Sequence, residues 1–438
     1  MTTSATPHQA TPHLKVALLG AGTVGSQVAR VLLAEQDELA KRSGVVLDLV
    51  GVAVRDVSAK RDVEIPSELL TTDADSVIDA ADIVVELTGG IEPARTRILR
   101  ALNAGTTVVT GNKALIAAHG RELHDAAAAS GSQLSYEAAV AGAIPIVRPM
   151  RDSLAGDNVT RFLGIMNGTT NFILDQMDTT GAAFDDALAE AQELGYAEAD
   201  PTADVEGYDA AAKAAVLASL AFHSTFTQDD VHCQGITAVT AEDVATAAEA
   251  GYVIKLLSVG ERTENGVNLR VNPVMIPRSH VLGGVRGAYN AVFVEAENAG
   301  SLMFYGQGAG GEPTASAVLG DLVSAARAIA RGAEGVPLSD HAKLPAVTMD
   351  NVSTRMAITV TVKDRLGVLA RIAQVFADHG VSISTMHQTE DPHDQAISVL
   401  HLVTHTGRHR DLMDTVAALR ELPVVAGVLS VIPVETGE

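Results

Sequence analysis

Apolar residues change their spacing several times along this chain, and each change marks a different kind of element. Leu14 to Gly20 (LKVALLG) is a short apolar run, as expected of a strand buried on both faces, and SQVARVLLAEQDELA after it carries helical spacing. Val45 to Val54, Asp82 to Leu87 and Thr106 to Thr110 repeat the short run, the last two ending in glycine-containing loops. Tyr136-Glu137 closes a further strand, and Gly164 to Asn171 reads as strand, turn and helix. From Tyr208 the sequence AAKAAVLASLAF is apolar around the whole helical period, which predicts a buried helix. Lys213 is its only charge beyond Asp209. Another helix is predicted over Thr314 to Arg331. Residues 332–354 then hold glycines and prolines without a sustained period and read as a linker. After it, strand Met356–Val362, a helix to His379, strands Ser382–Thr389 and Ala396–Thr404, helix Arg410–Arg420 and strand Val424–Ile432 spell β-α-β-β-α-β, a ferredoxin-like order.

This succession predicts an α/β protein, and 438 residues leave room for about three domains. Only 19% of residues are charged, so the chain can bury sizeable cores. Residues 1–13 (MTTSATPHQATPH) have neither a basic cluster nor an apolar core and are expected to be a disordered tail rather than a signal peptide. No apolar run approaches a membrane span, and the single cysteine, Cys233, cannot form an intramolecular disulfide; a cytoplasmic protein without membrane contact is expected. The net charge of −23, with no clustering of Lys and Arg, argues against a nucleic-acid partner.

Two stretches carry chemistry. The first strand runs into Gly20-Ala21-Gly22-Thr23-Val24-Gly25 and then a helix, the order a dinucleotide fold requires: Gly20 for the tight turn, Gly22 for approach to a pyrophosphate, Gly25 for close strand–helix packing. At the tip of the second strand stands Arg55, with Lys60 close by, and cations there suit the 2′-phosphate of NADP(H). Asp56 follows directly, so NAD(H) remains open. Ligands of open parallel sheets lie beyond the carboxyl ends of strands, which points to Thr88 and Lys113 as neighbours of nicotinamide and substrate. The second stretch is Gly195 to Lys213, where Glu198, Asp200, Asp204, Glu206 and Asp209 surround one ammonium. Asp209 lies four residues before Lys213, on the same helix face, and a buried lysine needs such a partner. A charged amine of a small amino acid suits this pocket.

Together GAGTVG, Asn112-Lys113-Ala114-Leu115, EAAVAGAIP, GIMNGTTNFIL, LGYAEADPTADVEGYDAAAK and Gly306-Gln307-Gly308-Ala309-Gly310 resemble homoserine dehydrogenase, in family order, over residues 14 to about 330. The resemblance implies reversible NAD(P)H-dependent reduction of L-aspartate 4-semialdehyde to L-homoserine, on the route to threonine, methionine and isoleucine. It implies that Lys213 donates the proton, that Lys113 lies beside nicotinamide and substrate, and that Glu198 and Asp209, with Asp204, Gly168 and Thr169 beside them, bind substrate. It further implies a monovalent cation, usually sodium, at the Glu137 loop through Val140, Gly142 and Ile144, and places Gly308 near the cofactor. The implied organisation is a Rossmann domain over 14–137 to which the helix 314–331 returns, an α+β catalytic and dimerisation domain over 138–313, and the linker 332–354. A homo-oligomer, dimer or tetramer, follows.

The turn Asp364-Arg365-Leu366-Gly367-Val368 and the later His-Gly-Val-Ser-Ile resemble an ACT domain over 355–435, a module that binds amino acids. This implies an effector, L-threonine as the end product, near Asp364, Gly367 and Val368. His401, His405 and His409 recur every four residues, but Gly407 interrupts the helix that metal ligation would need. Two other readings stay open on the residues alone: a dehydrogenase for another small amino aldehyde, and a catalytically silent amino-acid sensor.

Overall fold

The computed structural model describes residues 11–390, 394 and 396–435, so most of the expected tail lies outside the described residues. Two compact units emerge: one comprises the chain up to Gly156 with Ser219–Thr227 and Gly306–Lys343, the other Asp157–Ala218, Gln228–Tyr305 and the remainder from Leu344.

In the first unit, β1 (His13–Leu19), β2 (Val46–Ala53), β3 (Leu70–Thr71), β4 (Ile83–Glu86), β5 (Thr107–Thr110) and β6 (Leu134–Ser135) form a parallel sheet in the order β3-β2-β1-β4-β5-β6. The connecting helices are α1 (Thr23–Ala34), α2 (Gln36–Ser43), α3 (Ala74–Asp79), α4 (Ala94–Asn103) and α5 (Lys113–Ser130). Val16 to Leu19 and Ile83 to Val85 are fully buried, which is why these strands read as unbroken apolar runs rather than alternating ones. The order reverses between β1 and β4, and the crevice beyond their carboxyl ends is the place where such sheets take a nucleotide.

The second unit contains several strands the hydropathy pattern did not reveal. After β7 (Val159–Ile165) come α6 (Gly168–Thr180), α7 (Phe184–Glu193), α8 (Thr202–Val205), α9 (Tyr208–Ala221), β8 (His232–Cys233) and α10 (Ala241–Glu249). Two strand pairs, β9 (Tyr252–Thr263) with β10 (Gly266–Pro277) and β11 (Tyr289–Ala296) with β12 (Gly300–Gln307), follow and flank β7 in the sheet order β12-β11-β7-β9-β10. The β9–β10 hairpin turns at Glu264-Asn265, and Gly266, which pairs with Thr263, adopts φ +146°. Lys255 of β9 is completely buried and donates to Asn171 Oδ1 at 2.9 Å and Val285 O at 2.6 Å, while Asn171 Nδ2 donates to the carbonyls of Gly287 and Tyr289. A lysine and an amide thus fasten the loop before β11 to α6.

The helix α11 (Gly311–Ala330) belongs to the first unit. Its Ala315, Val318, Leu322 and Ala326 join Val28, Ala29 and Leu32 of α1 in one core. The chain then adds β13 (Ala346–Val347) alongside β10, so the segment expected as a linker supplies a short strand.

The C-terminal part contains β14 (Ser353–Lys363), α12 (Val368–Asp378), β15 (Ile383–Glu390), β16 (Ile397–Thr404), β17 (Gly407–Arg408), α13 (His409–Glu421) and β18 (Val425–Val434). Its antiparallel order, β18-β14-β16-β15, is ferredoxin-like, and Ile358, Val360, Ile372, Phe376, Leu402 and Val416 lie in its core. The end of β18 reaches β10: Val434 pairs with Met275, Glu435 N donates to Met275 O at 2.9 Å, and Arg161 meets Glu435 at 2.6 Å. One sheet therefore runs through both parts of this unit.

Burial pushes the Lys255 amine from its ordinary 10.5 down to about 8, against the opposing pull of Asp175 and Asp178 and with that of Arg286 and Arg278. Between about 8 and 10.5 the unfolded chain holds a proton that the folded chain has released, so folding stability gains with rising pH there. Below that window the burial cost is about 3 kcal/mol. Thermal midpoints of wild type and Lys255→Met, measured across that window, should show the variant's relative stability falling as pH rises. A difference flat with pH would mean that burial does not disfavour the charged amine.

Candidate active site

At the glycine turn, a side chain on Gly20 (φ +96°) would come within 2.9 Å of Leu87 O, and a Cβ on Gly25 would fall 2.1 Å from Gly20 O. A Cβ on Gly22 would meet nothing within 4 Å, so open space lies where an anion would approach. Gly22 caps α1 without a side-chain hydrogen bond, and no acidic residue occupies the first turn through Thr23 and Val24; the helix presents backbone N–H groups to that space. A Cβ on Gly311 would come within 3.0 Å of Thr23 O, so the glycine run ending in α11 lies against the same turn. These residues fit a dinucleotide pyrophosphate.

Arg55 and Lys60 are exposed just past β2. The Asp56 carboxylate is taken up by Ser58, through its N–H at 2.8 Å and its hydroxyl at 2.7 Å, and these bonds hold its pKa low. Arg61, which the sequence reading passed over, donates to the carbonyls of Asp56, Val57 and Ala59 and fixes the loop.

Glu86, at the end of β4, is a second organiser that pattern reading missed. Completely buried, it accepts from Thr88 N at 2.7 Å, Thr88 Oγ1 at 2.6 Å and Thr110 Oγ1 at 2.8 Å. Thr110 in turn accepts from Asn112 N, and Asn112 caps α5 through Leu115 N while its amide donates to Gly90 O. One carboxylate thus ties together the ends of two neighbouring strands and sets the start of α5, whose first residue is the exposed Lys113.

The Glu137 loop is held in the same way. The Glu137 carboxylate accepts from the backbone N–H groups of Ile146, Val147 and Arg148 and from Arg148 Nε at 3.0 Å, while its own N–H donates to Asp321 at 2.7 Å. Burial pushes the Asp321 carboxyl up to about 7. Ala141 and Gly142 both take left-handed backbone, φ 56° and 58°, and a Cβ on Gly142 would fall 2.3 Å from Gly308 O. Because amides and Arg148 occupy the Glu137 side chain, a cation at this loop would be held by main-chain oxygens. Val140, Gly142 and Ile144 sit where the backbone turns.

In the second unit, Lys213 and Asp209 lie on α9 among fully buried alanines, themselves only 9% and 8% exposed. Lys213 Nζ donates to Asp209 Oδ2 at 2.8 Å and to Met166 O, at the end of β7, at 2.7 Å. Asn167 N-caps α6 through Thr170 N, and its amide donates to Asp209 Oδ2 at 3.0 Å and Asp204 Oδ1 at 2.6 Å. Thr169 Oγ1 donates to Tyr196 O at 2.6 Å and to Asp204 Oδ2 at 3.2 Å. A Cβ on Gly168 would come within 2.7 Å of Ala288 O, so only glycine lets α6 begin here. Glu198 stands on the exposed rim and accepts Gln192 Nε2 through its carbonyl. The arrangement gathers Lys213, Asp209, Asp204, Thr169 and Gly168. Asn167, absent from the expected set, bridges the two aspartates; an Asn after a strand and before Gly-Thr-Thr was a readable cap signal.

Asp364, Gly367 and Val368 line a surface cavity of about 410 Å³ together with Lys363, Leu366 and Gln388. Gly367 (φ +85°) is the cap of α12. Among the described residues no cluster of three or more His, Cys, Asp or Glu is placed to hold a metal ion, and no helix is long and apolar enough to cross a membrane.

Comparison with known proteins matches this geometry to one family. Residues 145–323 match the homoserine dehydrogenase family, 20–137 the homoserine dehydrogenase NAD-binding domain and 356–424 the ACT domain. The chain is 52% identical to the homoserine dehydrogenase of Corynebacterium glutamicum, over 96% of this chain and 95% of that one. It is 51% identical to that of Mycobacterium tuberculosis, over 96% and 97%. The crystal structure of a homoserine dehydrogenase from Thiobacillus denitrificans superposes with a TM-score of 0.90 at 40% identity, covering 97% of this chain and 99% of that one. A hyperthermophilic archaeal homoserine dehydrogenase in complex with NADPH superposes at 0.60 with 26% identity, over 72% and 97%. With the glycine turn, the buried lysine and the terminal α/β module all falling in matched segments, the chain belongs to the homoserine dehydrogenase family and is an NAD(P)-dependent oxidoreductase carrying an ACT domain.

Proposed function

We propose that Lys213 is the general acid of this homoserine dehydrogenase, and that the enzyme works with NADP(H) in preference to NAD(H). The observation that carries the first reading is the 2.8 Å bond between Lys213 and Asp209 on an otherwise apolar helix. When bound, the nicotinamide supplies the hydride. As charge grows on the aldehyde oxygen of L-aspartate 4-semialdehyde, the Lys213 ammonium offsets it and then delivers a proton, completing L-homoserine. Asp209 and Met166 O hold the amine in place and aim it. Asp204, Glu198, Gly168 and Thr169 receive the amino-acid end of the substrate, with Asn167 positioning both aspartates. Lys113 lies beside nicotinamide and substrate, as a second cation.

Arg55 and Lys60 support NADP(H): both are exposed at the strand tip, whereas Asp56 is engaged by Ser58. A relative whose structure holds NADPH adds to this reading. A sodium ion at the carbonyls of Val140, Gly142 and Ile144 would brace the loop that Glu137 organises. The exposed Met303 and Tyr305 on edge strand β12, with Tyr305 stacked on Tyr289 at 5.2 Å, support a homo-oligomer built through that edge. The ACT domain implies a small-molecule effector. We take it to be L-threonine, an end product of homoserine, which makes the enzyme a controlled step toward threonine, methionine and isoleucine.

Lys213→Ala should lower turnover by about two to four orders of magnitude and leave NADPH binding, read by fluorescence titration, nearly unchanged. Lys213→Arg should not restore it, since a guanidinium keeps its proton. Near-normal turnover in the arginine variant would replace the acid with a purely electrostatic role. For the cofactor, Arg55→Ala should raise KM for NADPH more than for NADH; equal losses would reduce Arg55 to a loop-shaping residue and move the question to Lys60. L-threonine should inhibit the full-length enzyme cooperatively, and steady-state rates unmoved by a large excess of threonine would remove that effector.

A further inference from the structure

The second unit holds a cavity that none of the assigned roles uses. It measures about 440 Å³, and its walls come from the stretch around β8 and from β10 on one side (His232, Gly235, Asn272) and from the ACT domain on the other (His409, Met413, Arg420). Such a volume suits a small metabolite.

Two polar atoms in these walls lack partners. Asn272 is 97% buried by its 3% exposure, and its Nδ2 donates to Pro273 O, yet its Oδ1 has no hydrogen-bond partner among the described residues. His409 Nδ1, at the start of α13, is likewise buried and unpartnered. Buried polar groups are nearly always satisfied, so two left without partners on one cavity point to a ligand that completes them. The charged groups around them define its chemistry. Arg420 offers a guanidinium for a carboxylate, His232 and His409 add imidazoles, and Asp243 with the Asn272 oxygen can receive an ammonium.

The cavity wall is also stitched to the substrate helix. Cys233 Sγ donates to Glu206 O at 3.3 Å, Ile236 N donates to Val205 O at 2.8 Å, and Thr237 Oγ1 donates to Glu206 Oε1 at 3.2 Å. A Cβ on Gly235 would fall 2.2 Å from Val205 O, and one on Gly207 (φ +83°) would come within 3.1 Å of Cys233 Sγ. Residues 232–237 therefore have the cavity on one side and the turn Val205-Glu206-Gly207 on the other. Asp209 and Lys213 follow that turn directly.

We infer that this cavity is an effector site for a free α-amino acid, separate from the Asp364–Val368 turn, and that occupancy reaches Asp209 and Lys213 through residues 232–237. The inference rests on the reading of the enzyme as amino-acid regulated and assigns that regulation a place. Arg420 clamps the ligand carboxylate, the Asn272 oxygen takes its ammonium, and the ligand joins α13 of the ACT domain to the segment that supports the substrate turn. A ligand shifts such an equilibrium only by binding one arrangement better, so substrate must in return alter effector affinity.

The chain contains no tryptophan, and Leu429, half-exposed on this cavity, offers a reporter position. In full-length Leu429→Trp, checked for wild-type homoserine oxidation, L-threonine, L-isoleucine and L-methionine are titrated singly while tryptophan emission and the KM for homoserine are followed. The expected result is a saturable emission change with at least one of them and a parallel change in KM. The apparent Kd should weaken by about tenfold or more in Arg420→Gln and stay unchanged in Asp364→Asn, about 1.4 kcal/mol per tenfold. Emission unmoved by all three overturns the site. If inhibition persists in that case and is abolished by Asp364→Asn, amino-acid regulation survives and belongs to the other turn. A saturable emission change without any change in KM or rate overturns the coupling, and with it the regulatory reading of this cavity.

Discussion

The polar cluster of the second unit is arranged around one ammonium held in an apolar helix. Taking a lysine out of water among alanines is costly, and a single carboxylate one helical turn away does not recover that cost unless the remaining donors and acceptors are satisfied as well. The structure meets this demand with Asp209, with the carbonyl of Met166 where β7 stops, and with Asn167, which occupies both aspartates and caps α6. Three elements distant in sequence are thereby forced to converge. A lysine so placed is a poor contributor to stability, and in the role of general acid proposed above it would work among fixed neighbours rather than solvent that has to reorganise during reaction.

The first unit uses buried carboxylates for a related purpose. Glu86 and Glu137 touch almost only backbone amides, hydroxyls and one guanidinium, and each determines the course of the loop that follows a strand. Loops at strand ends are ordinarily the most variable parts of an α/β fold. Here each is pinned from beneath by an acid that water cannot reach, and Asp321, raised to about 7 by burial, extends the Glu137 arrangement to α11.

The sequence disclosed elements whose signal is local. The glycine turn after β1, the helix α9 with its lone lysine and the β-α-β-β-α-β order of the C-terminal part all rest on spacing within a few residues, and family motifs supplied the chemistry between them. The strands β9 to β12 stayed hidden, β10 because it is buried along nearly its whole length and carries Asn268, Arg270 and Asn272 on one face, which blurs both the alternating and the continuous pattern. The turn Glu264-Asn265, with Gly266 after it, is the one local mark of the β9–β10 hairpin. Lys255 and Glu86 were illegible for another reason: a polar residue in an apolar run is indistinguishable from a strand end until its distant partners are known. The same holds for Val434 and Glu435, whose partners lie more than a hundred residues earlier.

Those last two residues make the ACT domain something other than a detachable accessory. Since β18 continues the sheet of β10 and Glu435 neutralises Arg161, a chain ending before them would bare a strand edge and strand a guanidinium that is mostly buried. The C-terminal module and the sheet it continues therefore fold as one body, and a load placed on either is carried by the other through the end of β18.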